Sequence, residues 1–182
     1  QIKTKENISY QEKQRIFNKY AETLIEAGAD PNSTNTFGET SLTLAAKHNN
    51  LELVKKLIER GADINAKNKT GSTTLLEMFK LHSTPQDDAW KMEIINFLLK
   101  SGANPNIIHD NQYECNSPLM SAVLAGRIDL VKLLLSYKAE ANLKCKNGVN
   151  ALSRLFGRYN PNYAGLLDTL IEAGTDVNTA NE

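Results

Sequence analysis

Apolar residues recur along the chain in short amphipathic stretches, and each stretch ends at a five-residue polar signature. In the first stretch the apolar residues keep the spacing of one helical face: Ile16, Phe17, Tyr20, Ala21, Leu24 and Ile25. The signature is GADPN (28–32), then GADIN (61–65), GANPN (102–106), KAEAN (138–142) and GTDVN (174–178). A glycine just past a helix adopts the left-handed conformation at little cost. Each signature therefore predicts a helix end followed by a sharp turn.

The segment between the first two signatures shows what lies within one period. After the polar residues STNTF comes Gly38, then TSLTLAA (40–46), a polar break at 48–50, and LELVKKLIER (51–60). This order predicts a loop, a short helix, a turn and a second helix. Thr40 is placed to cap the short helix, as Thr73 is in the next repeat. The small residues Ala45 and Ala46 permit close helix packing.

This period resembles the ankyrin repeat, whose length is 33 residues and whose hallmark is T-P-L-H-x-A. The matching positions are Gly38, Thr40, Leu42, Ala45 and Ala46, then Leu51, Val54, Leu57 and Ile58, then GADIN. The sequence differs from the hallmark at Ser41 and Thr43, where the family usually carries Pro and His. The resemblance implies an all-α fold: an ankyrin-repeat solenoid of stacked helix pairs with protruding β-hairpin-like loops. We expect about four full repeats plus a partial N-terminal one.

The signature spacing divides residues 1–182 into one domain of consecutive repeats. A partial repeat at 9–32, headed by a capping box at Ser9 and Glu12, is followed by repeats at 33–65, 66–106, 107–142 and 143–178. The surplus over 33 residues falls in loop-like segments in each case. The chain lacks an initiator Met and stops where a further repeat would start, so we expect a fragment of a longer protein.

Three irregularities interrupt the period. The third repeat inserts residues between its helices at 82–90, where Pro85 and the pair Asp87–Asp88 indicate a loop before the helix KMEIINFLLK. The fourth has a longer hairpin carrying Tyr113, and the fifth a surplus around GRYNPNY. At the fourth signature Lys138 replaces Gly, which predicts a lysine in the left-handed conformation at a cost of about 1 kcal/mol.

Composition excludes several classes of protein. The 21 basic and 21 acidic residues balance, so there is no overall electrostatic case for nucleic acid or an anionic membrane. No apolar run reaches the roughly 20 residues of a membrane helix, and the polar start is not a secretory signal. Cys115 and Cys145 are too few for a disulfide scaffold, so we expect reduced cysteines and a cytoplasmic protein.

Residues for catalysis or cofactor binding do not form a recognisable motif. The histidines are His48, His82 and His109, and none lies in a metalloprotease, nucleotide-binding or nucleophile-elbow pattern. His109 with Asp110 and Cys115 could suggest a metal site, but a fourth ligand is lacking. We therefore expect a non-enzymatic protein with no metal and no cofactor.

The resemblance implies that the chain binds another protein through the concave surface of hairpin tips and first helices. The positions between framework residues are free to specify that partner. They are Thr34, Thr36, Phe37, Glu39, Lys47, His48, Lys67, Lys69, Thr70, Ser72, Lys80, Leu81, Asp110, Gln112, Tyr113, Glu114, Leu124, Lys144, Lys146, Asn147, Val149 and Arg158.

Each of these surface assignments has a structural alternative. Phe37 and Tyr113 are candidate aromatic anchors, but Phe37 could instead pack on the next hairpin. The hairpin lysines could meet an acidic partner or be ordinary solvated side chains. The 82–90 insertion could be a second surface or neutral decoration, and Trp90 an exposed anchor or part of the core.

Three functional hypotheses follow. The first is a protein-interaction module, monomeric in isolation. The second is a domain that recruits a substrate or host target for a larger enzyme, or for an effector of an intracellular bacterium acting in the host cytosol; the high Asn and Lys content fits an AT-rich genome. The third is nucleic-acid binding through the hairpin lysines, which the neutral overall charge disfavours.

Overall fold

The computed structural model describes residues 10–81, 88–110, 115–156 and 161–178. In these residues short helices alternate with hairpin-like loops. The helices are α1 (Tyr10–Glu26), α2 (Ser41–Lys47), α3 (Leu51–Glu59), α4 (Thr74–Lys80), α5 (Asp88–Lys100), α6 (Pro118–Leu124), α7 (Ile128–Ser136), α8 (Ala151–Phe156) and α9 (Tyr163–Glu172). The strands β1 (His109–Asp110) and β2 (Cys115–Asn116) form an antiparallel pair.

The helices form two parallel rows. The first row contains α2, α4, α6 and α8, and each of these contacts the next. In the second row α1 contacts α3, α5 contacts α7, and α7 contacts α9. The pairs α2–α3, α4–α5, α6–α7 and α8–α9 join the rows. The buried apolar side chains lie between the rows along the whole stack, so the fold has a continuous seam in place of a central core.

Hydroxyl side chains cap three of the first-row helices, α2, α4 and α6. The Thr40 hydroxyl oxygen accepts a hydrogen bond from the Thr43 amide at 3.2 Å. Thr73 and Ser117 accept equivalent bonds from Leu76 and Met120. Each cap satisfies a backbone donor that a helix start leaves without a partner inside the helix. The predicted caps at Thr40 and Thr73 are confirmed.

The predicted left-handed conformation at the signatures is also confirmed. Gly61 has a φ of 85°, and Lys138 takes nearly the same conformation with a φ of 65°. Lys138 and Asn49 are the non-glycine residues with positive φ in the described part of the chain. Asn49 lies at the predicted break between α2 and α3, and asparagine tolerates this conformation better than most residues do.

The asparagine that closes each signature ties one repeat to the next. The Asn32 side chain donates to the Gly61 carbonyl at 3.2 Å and accepts from the Asp63 amide at 2.7 Å. Asn65, Asn106 and Asn142 bind the following signature in the same way. The signatures therefore do more than end helices, because four asparagines form a chain of bonds along the stack.

The start of α5 differs from the sequence prediction. The helix begins at Asp88, so the assignment of Asp88 to a loop is wrong. An aspartate in the first turn is favourable because its charge complements the positive end of the helix dipole. Trp90 lies in this first turn, partly buried against the core, and is not an exposed anchor. The rest of the insertion, 82–87, and the predicted cap at Ser9 lie outside the described residues.

The two cysteines also differ from expectation. Cys115 in β2 and Cys145 in the following hairpin form a disulfide, with Cα atoms 6.1 Å apart, and both are buried. The expectation of reduced cysteines is wrong for this structure. Residues 30 positions apart meet here because the hairpins of consecutive repeats lie side by side. In the described part of the chain, no helix is long and apolar enough to cross a membrane.

Candidate partner-binding surface

The first two hairpin tips are held in shape by an asparagine side chain. The Asn35 side-chain oxygen Oδ1 accepts from the Phe37 and Glu39 amides at 2.9 and 3.0 Å. Asn68 accepts in the same way from Thr70 and Ser72, at 3.0 Å each. Neither asparagine is in the predicted set of site residues. Its signal in the sequence is an asparagine three residues before a glycine, a pattern typical of turns built by asparagine side chains.

Neighbouring hairpins touch through their backbones. The Lys69 amide donates to the Phe37 carbonyl at 3.1 Å. At Gly38, whose φ is 76°, a Cβ atom would lie 2.8 Å from the Lys69 nitrogen. A side chain at Gly38 would therefore push the two tips apart. The Phe37 backbone is fixed both within its own hairpin and against the next one.

An open cleft of about 450 Å³ lies between these two hairpins and α4. It brings together six of the predicted site residues, Thr36, Phe37, Glu39, Lys69, Thr70 and Lys80, and adds Asn68 and Glu77. The Phe37 side chain is 70% exposed. The structure therefore does not bury Phe37 against the next hairpin.

Carboxylates and lysines beside the cleft form a connected set. Lys47 Nζ lies 2.8 Å from Glu39 Oε1 and 3.8 Å from Glu77 Oε2. Lys80 Nζ lies 3.1 Å from Glu77 Oε1. The Lys47 hydrogen bond, with a second from Asn35, lowers the pKa of Glu39. Burial alone would raise the pKa of Glu77, but hydrogen bonds and the charges of Lys80 and Lys47 outweigh burial and lower it.

Several predicted site residues have structural roles. Ser72 is only 2% exposed, so its assignment to a contact surface is wrong; its backbone carbonyl closes the hairpin by accepting from the Asn68 amide. Thr34 and Lys67 form the hairpin bases, opposite Thr40 and Thr73.

The remaining predicted residues on the first helices and the last hairpin differ in exposure. His48 is exposed and follows α2 directly, and Leu124 at the end of α6 is half-buried. Leu81 and Val149 pack partly against the core. In the last hairpin Lys144, Lys146 and Asn147 are exposed, and Asn147 accepts from the Val149 amide at 3.3 Å.

The structure describes the base of the predicted longer hairpin, where β1 pairs with β2. His109 pairs with Asn116, and Asp110 pairs with Cys115. The tip, with the predicted residues Gln112, Tyr113 and Glu114, lies outside the described residues, as does Arg158. Cys115 is bonded to Cys145, so its thiolate is not available to the metal site considered with His109 and Asp110. No group of three ligating side chains is found in the described segments.

Comparisons with known proteins agree with this architecture. Two profiles of ankyrin repeats match the chain, one described as many copies over residues 24–79 and one as three copies over residues 88–181. The crystal structure of the ankyrin repeat protein EF0377 superposes with a TM-score of 0.74 at 30% identity, covering 93% of this chain and 82% of that one. The predicted fold class is confirmed.

Two viral proteins are similar in sequence. Ankyrin repeat protein R841 of Acanthamoeba polyphaga mimivirus is 29% identical over 90% of this chain, and FPV024 of Fowlpox virus is 36% identical over 35% of it. The chain spans only 28% and 10% of these relatives' lengths. Ankyrin repeats are generally protein–protein interaction modules. Because these profiles match most of its length, the chain belongs to the ankyrin repeat family.

Proposed function

We propose that the chain binds a partner protein through the concave surface of its hairpin tips and first helices, with Phe37 as an anchor. The family supports the general activity, because ankyrin repeats generally bind proteins. The particular surface rests on the cleft between the first two hairpins and α4.

The exposed ring of Phe37 carries this proposal. A large aromatic side chain at 70% exposure leaves apolar area in water that a partner can cover. Two hydrogen bonds already fix the backbone at this position: the Phe37 amide donates to the Asn35 side chain, and the Lys69 amide donates to the Phe37 carbonyl. Binding at Phe37 therefore orders little of the chain, which lowers the entropic cost of association.

The surroundings of Phe37 suit an interface with an apolar centre and a polar rim. Lys69 and Thr70 are exposed at one edge of the cleft, and Glu77 and Lys80 form a pair at the other. Rim charges contribute mainly to specificity and to the association rate, whereas a central aromatic residue contributes most of the affinity.

The substitution Phe37→Ala tests the proposal. Partners would be identified by cross-linking to the wild-type chain, purified, and titrated against wild type and variant by calorimetry. We expect Phe37→Ala to weaken binding at least tenfold, because truncating a central aromatic anchor costs about 2 kcal/mol or more. Tyr113→Ala, the second predicted anchor, belongs in the same series.

Ile171→Ala is the matched control. Ile171 is 49% exposed on the second-row helix α9, outside the hairpin tips and first helices of the proposed surface. The same truncation there should change the affinity less than twofold. If Phe37→Ala keeps wild-type affinity with an unchanged unfolding midpoint, the cleft is not the binding surface.

A second candidate function is recruitment of a substrate or host target within a longer protein. It is favoured by the lengths of the relatives, of which this chain spans only a part. Incubating the identified partner with the full-length protein and measuring its mass separates the two, because a recruited substrate would be chemically altered and a simple binding partner would not.

A further inference from the structure

Charge is unevenly distributed along this chain, although the chain as a whole is neutral. The segments that contain the hairpins and the first-row helices are 33–47, 66–80, 107–124 and 143–156, and they hold seven basic and four acidic residues. Because the whole chain has 21 residues of each sign, the remaining residues carry a matching excess of acids. The surface proposed for partner binding is therefore built from the basic part of a neutral chain.

The basic residues of this surface that lack an ion pair lie on two hairpins. They are Lys67 and Lys69 in the second hairpin and Lys144 and Lys146 in the fourth, and all four are exposed. They occupy equivalent positions, seven and five residues before the starts of α4 and α8. In the part of the chain that the structure describes, none of the four forms an ion pair.

The carboxylates in the cleft do not neutralise these hairpin lysines. Glu39 lies 2.8 Å from Lys47 Nζ, and Glu77 lies 3.1 Å from Lys80 Nζ. Both carboxylates are thus paired with lysines of the first-row helices. Lys69 adjoins Phe37 directly, because its amide donates to the Phe37 carbonyl at 3.1 Å. A partner that covers the Phe37 ring therefore meets the charge of Lys69 as well.

The parts of this chain that lie outside the described residues do not supply the opposite charge. Residues 1–9, 82–87, 111–114, 157–160 and 179–182 hold no more than one acidic residue in any segment. A single carboxylate cannot meet the lysine pairs of both hairpins. An acidic segment that does so has to come from outside these 182 residues.

We propose that the partner presents an extended acidic peptide segment, with an apolar side chain on Phe37 and carboxylates at the lysines of the second and fourth hairpins. This inference rests on the proposed function and specifies the chemistry of the partner. Opposite charge across an interface speeds association and disfavours partners of the wrong charge. Equivalent positions two repeats apart are separated by about 20 Å, which an extended chain covers in about six residues.

A protein segment suits this pattern better than a nucleic acid does. A nucleic acid carries a phosphate at every nucleotide, so its charge is continuous along the strand. Such a strand would place phosphates beside Glu39 and Glu77 in the cleft, where like charges repel. A peptide can place carboxylates at the lysine pairs and uncharged residues between them.

A designed peptide tests this charge pattern before the partner is known. Its sequence, LGSEEGSGSEE, offers a leucine for the Phe37 ring and two glutamate pairs six residues apart, the separation expected for the lysines. The peptide would be titrated into the nitrogen-15-labelled chain while amide chemical shifts are followed by NMR. We expect saturable shifts at Phe37, Lys69 and Lys146, and smaller shifts on the second-row helices.

Two peptides of the same length serve as controls. In LGSEEEEGSGS the glutamates are adjacent and can reach only one lysine pair, so this peptide should bind more weakly by about threefold or more. In LGSQQGSGSQQ glutamines replace the glutamates, and the shifts at Lys146 should disappear.

The variant Lys69→Gln, Lys146→Gln removes one charge from each hairpin. It should weaken binding of LGSEEGSGSEE, and of the partner identified by cross-linking, by about threefold or more in dilute buffer. The loss should vanish in 1 M salt, where charges are screened beyond about 3 Å. Lys100→Gln, Lys132→Gln is the matched control, because both lysines are exposed on second-row helices and the change in charge is the same. It should alter the affinity less than twofold.

Three outcomes with the peptides would overturn the inference. The first is the absence of saturable shifts at Lys69 and Lys146. The second is equal affinity for the peptide with adjacent glutamates. The third is tighter binding of oligouridylate than of LGSEEGSGSEE, which would assign the hairpin lysines to nucleic acid.

The cross-linked partner separates this inference from the proposed function. If Phe37→Ala weakens binding of that partner and the hairpin lysine variant does not, the acidic segment is wrong and the proposed function stands. If Phe37→Ala keeps wild-type affinity, the proposed function fails and this inference fails with it.

Discussion

Lys138 stands where the other four signatures carry glycine, and it holds the left-handed conformation with a φ of 65°. Its carbonyl accepts from the Asn106 side chain at 3.1 Å, so the backbone there is fixed by the stack. A Cβ atom makes this conformation unfavourable by about 1 kcal/mol. We therefore expect Lys138→Gly to raise the free energy of unfolding by about that amount and the midpoint by a few degrees in thermal denaturation.

Lys132→Gly serves as the control for this prediction, because Lys132 is exposed in the middle of α7, the helix that ends just before Lys138. Glycine in a helix interior should lower stability by about 1 kcal/mol. The two identical substitutions should thus have opposite signs. If both lower the midpoint, strain at Lys138 is not what limits the stability of this repeat.

At the scale of helices, Lys47 and Glu77 connect α2 to α4. The lowered pKa of Glu77 means that its carboxylate is favoured in the folded chain. The resulting stability is present above the ordinary value of 4.5 and is lost as pH falls through the lower folded value. We expect Glu77→Gln to cost about 2 kcal/mol at pH 7. The difference in unfolding midpoint from wild type should shrink steadily between pH 5 and pH 3.

Glu52→Gln is the comparison for this pH dependence. Glu52 also pairs with a lysine, but the pair lies in solvent on α3, with the Glu52 side chain 72% exposed. Screening by water should leave its substitution nearly without effect at any pH. A constant difference between wild type and Glu77→Gln across the pH range would show that the loss comes from packing and not from charge.

The elements that the sequence predicts well are those decided by neighbouring residues. The caps at Thr40 and Thr73 and the conformation of Lys138 depend on a few adjacent positions, and all three are confirmed. The burial of Ser72 and the exposure of Phe37 depend on which hairpin lies alongside, which local pattern does not show. The sequence places the start of α5 too late, because a proline and an acidic pair are compatible with both a loop and a helix start.

In the whole molecule, the disulfide between Cys115 and Cys145 joins two consecutive repeats across 30 residues. Closing a loop of this length lowers the entropy of the unfolded chain, which raises the free energy of unfolding by about 3–4 kcal/mol. We expect a reducing agent to lower the unfolding midpoint of the wild-type chain by several degrees. The double variant Cys115→Ala, Cys145→Ala should be insensitive to the same agent.

Thiol titration under denaturing, non-reducing conditions provides the independent check on the disulfide. The purified chain should show no free thiol before reduction and two afterwards. Two free thiols at the outset would contradict the bond. Like the exposure of Phe37, this pairing was not visible in local pattern, because it depends on how hairpins of successive repeats align.

The chain of signature asparagines has a consequence for the shape of the proposed binding surface. Each asparagine bonds to two backbone groups of the next repeat, which restricts the angle between successive helix pairs. Small angles accumulate along a stack, so we expect these four side chains to contribute to its curvature. The curvature in turn affects the distance between the first and last hairpin tips, which a partner that spans the proposed surface must match. We therefore expect a framework substitution such as Asn65→Ala to change which partner fits without altering any residue that the partner touches.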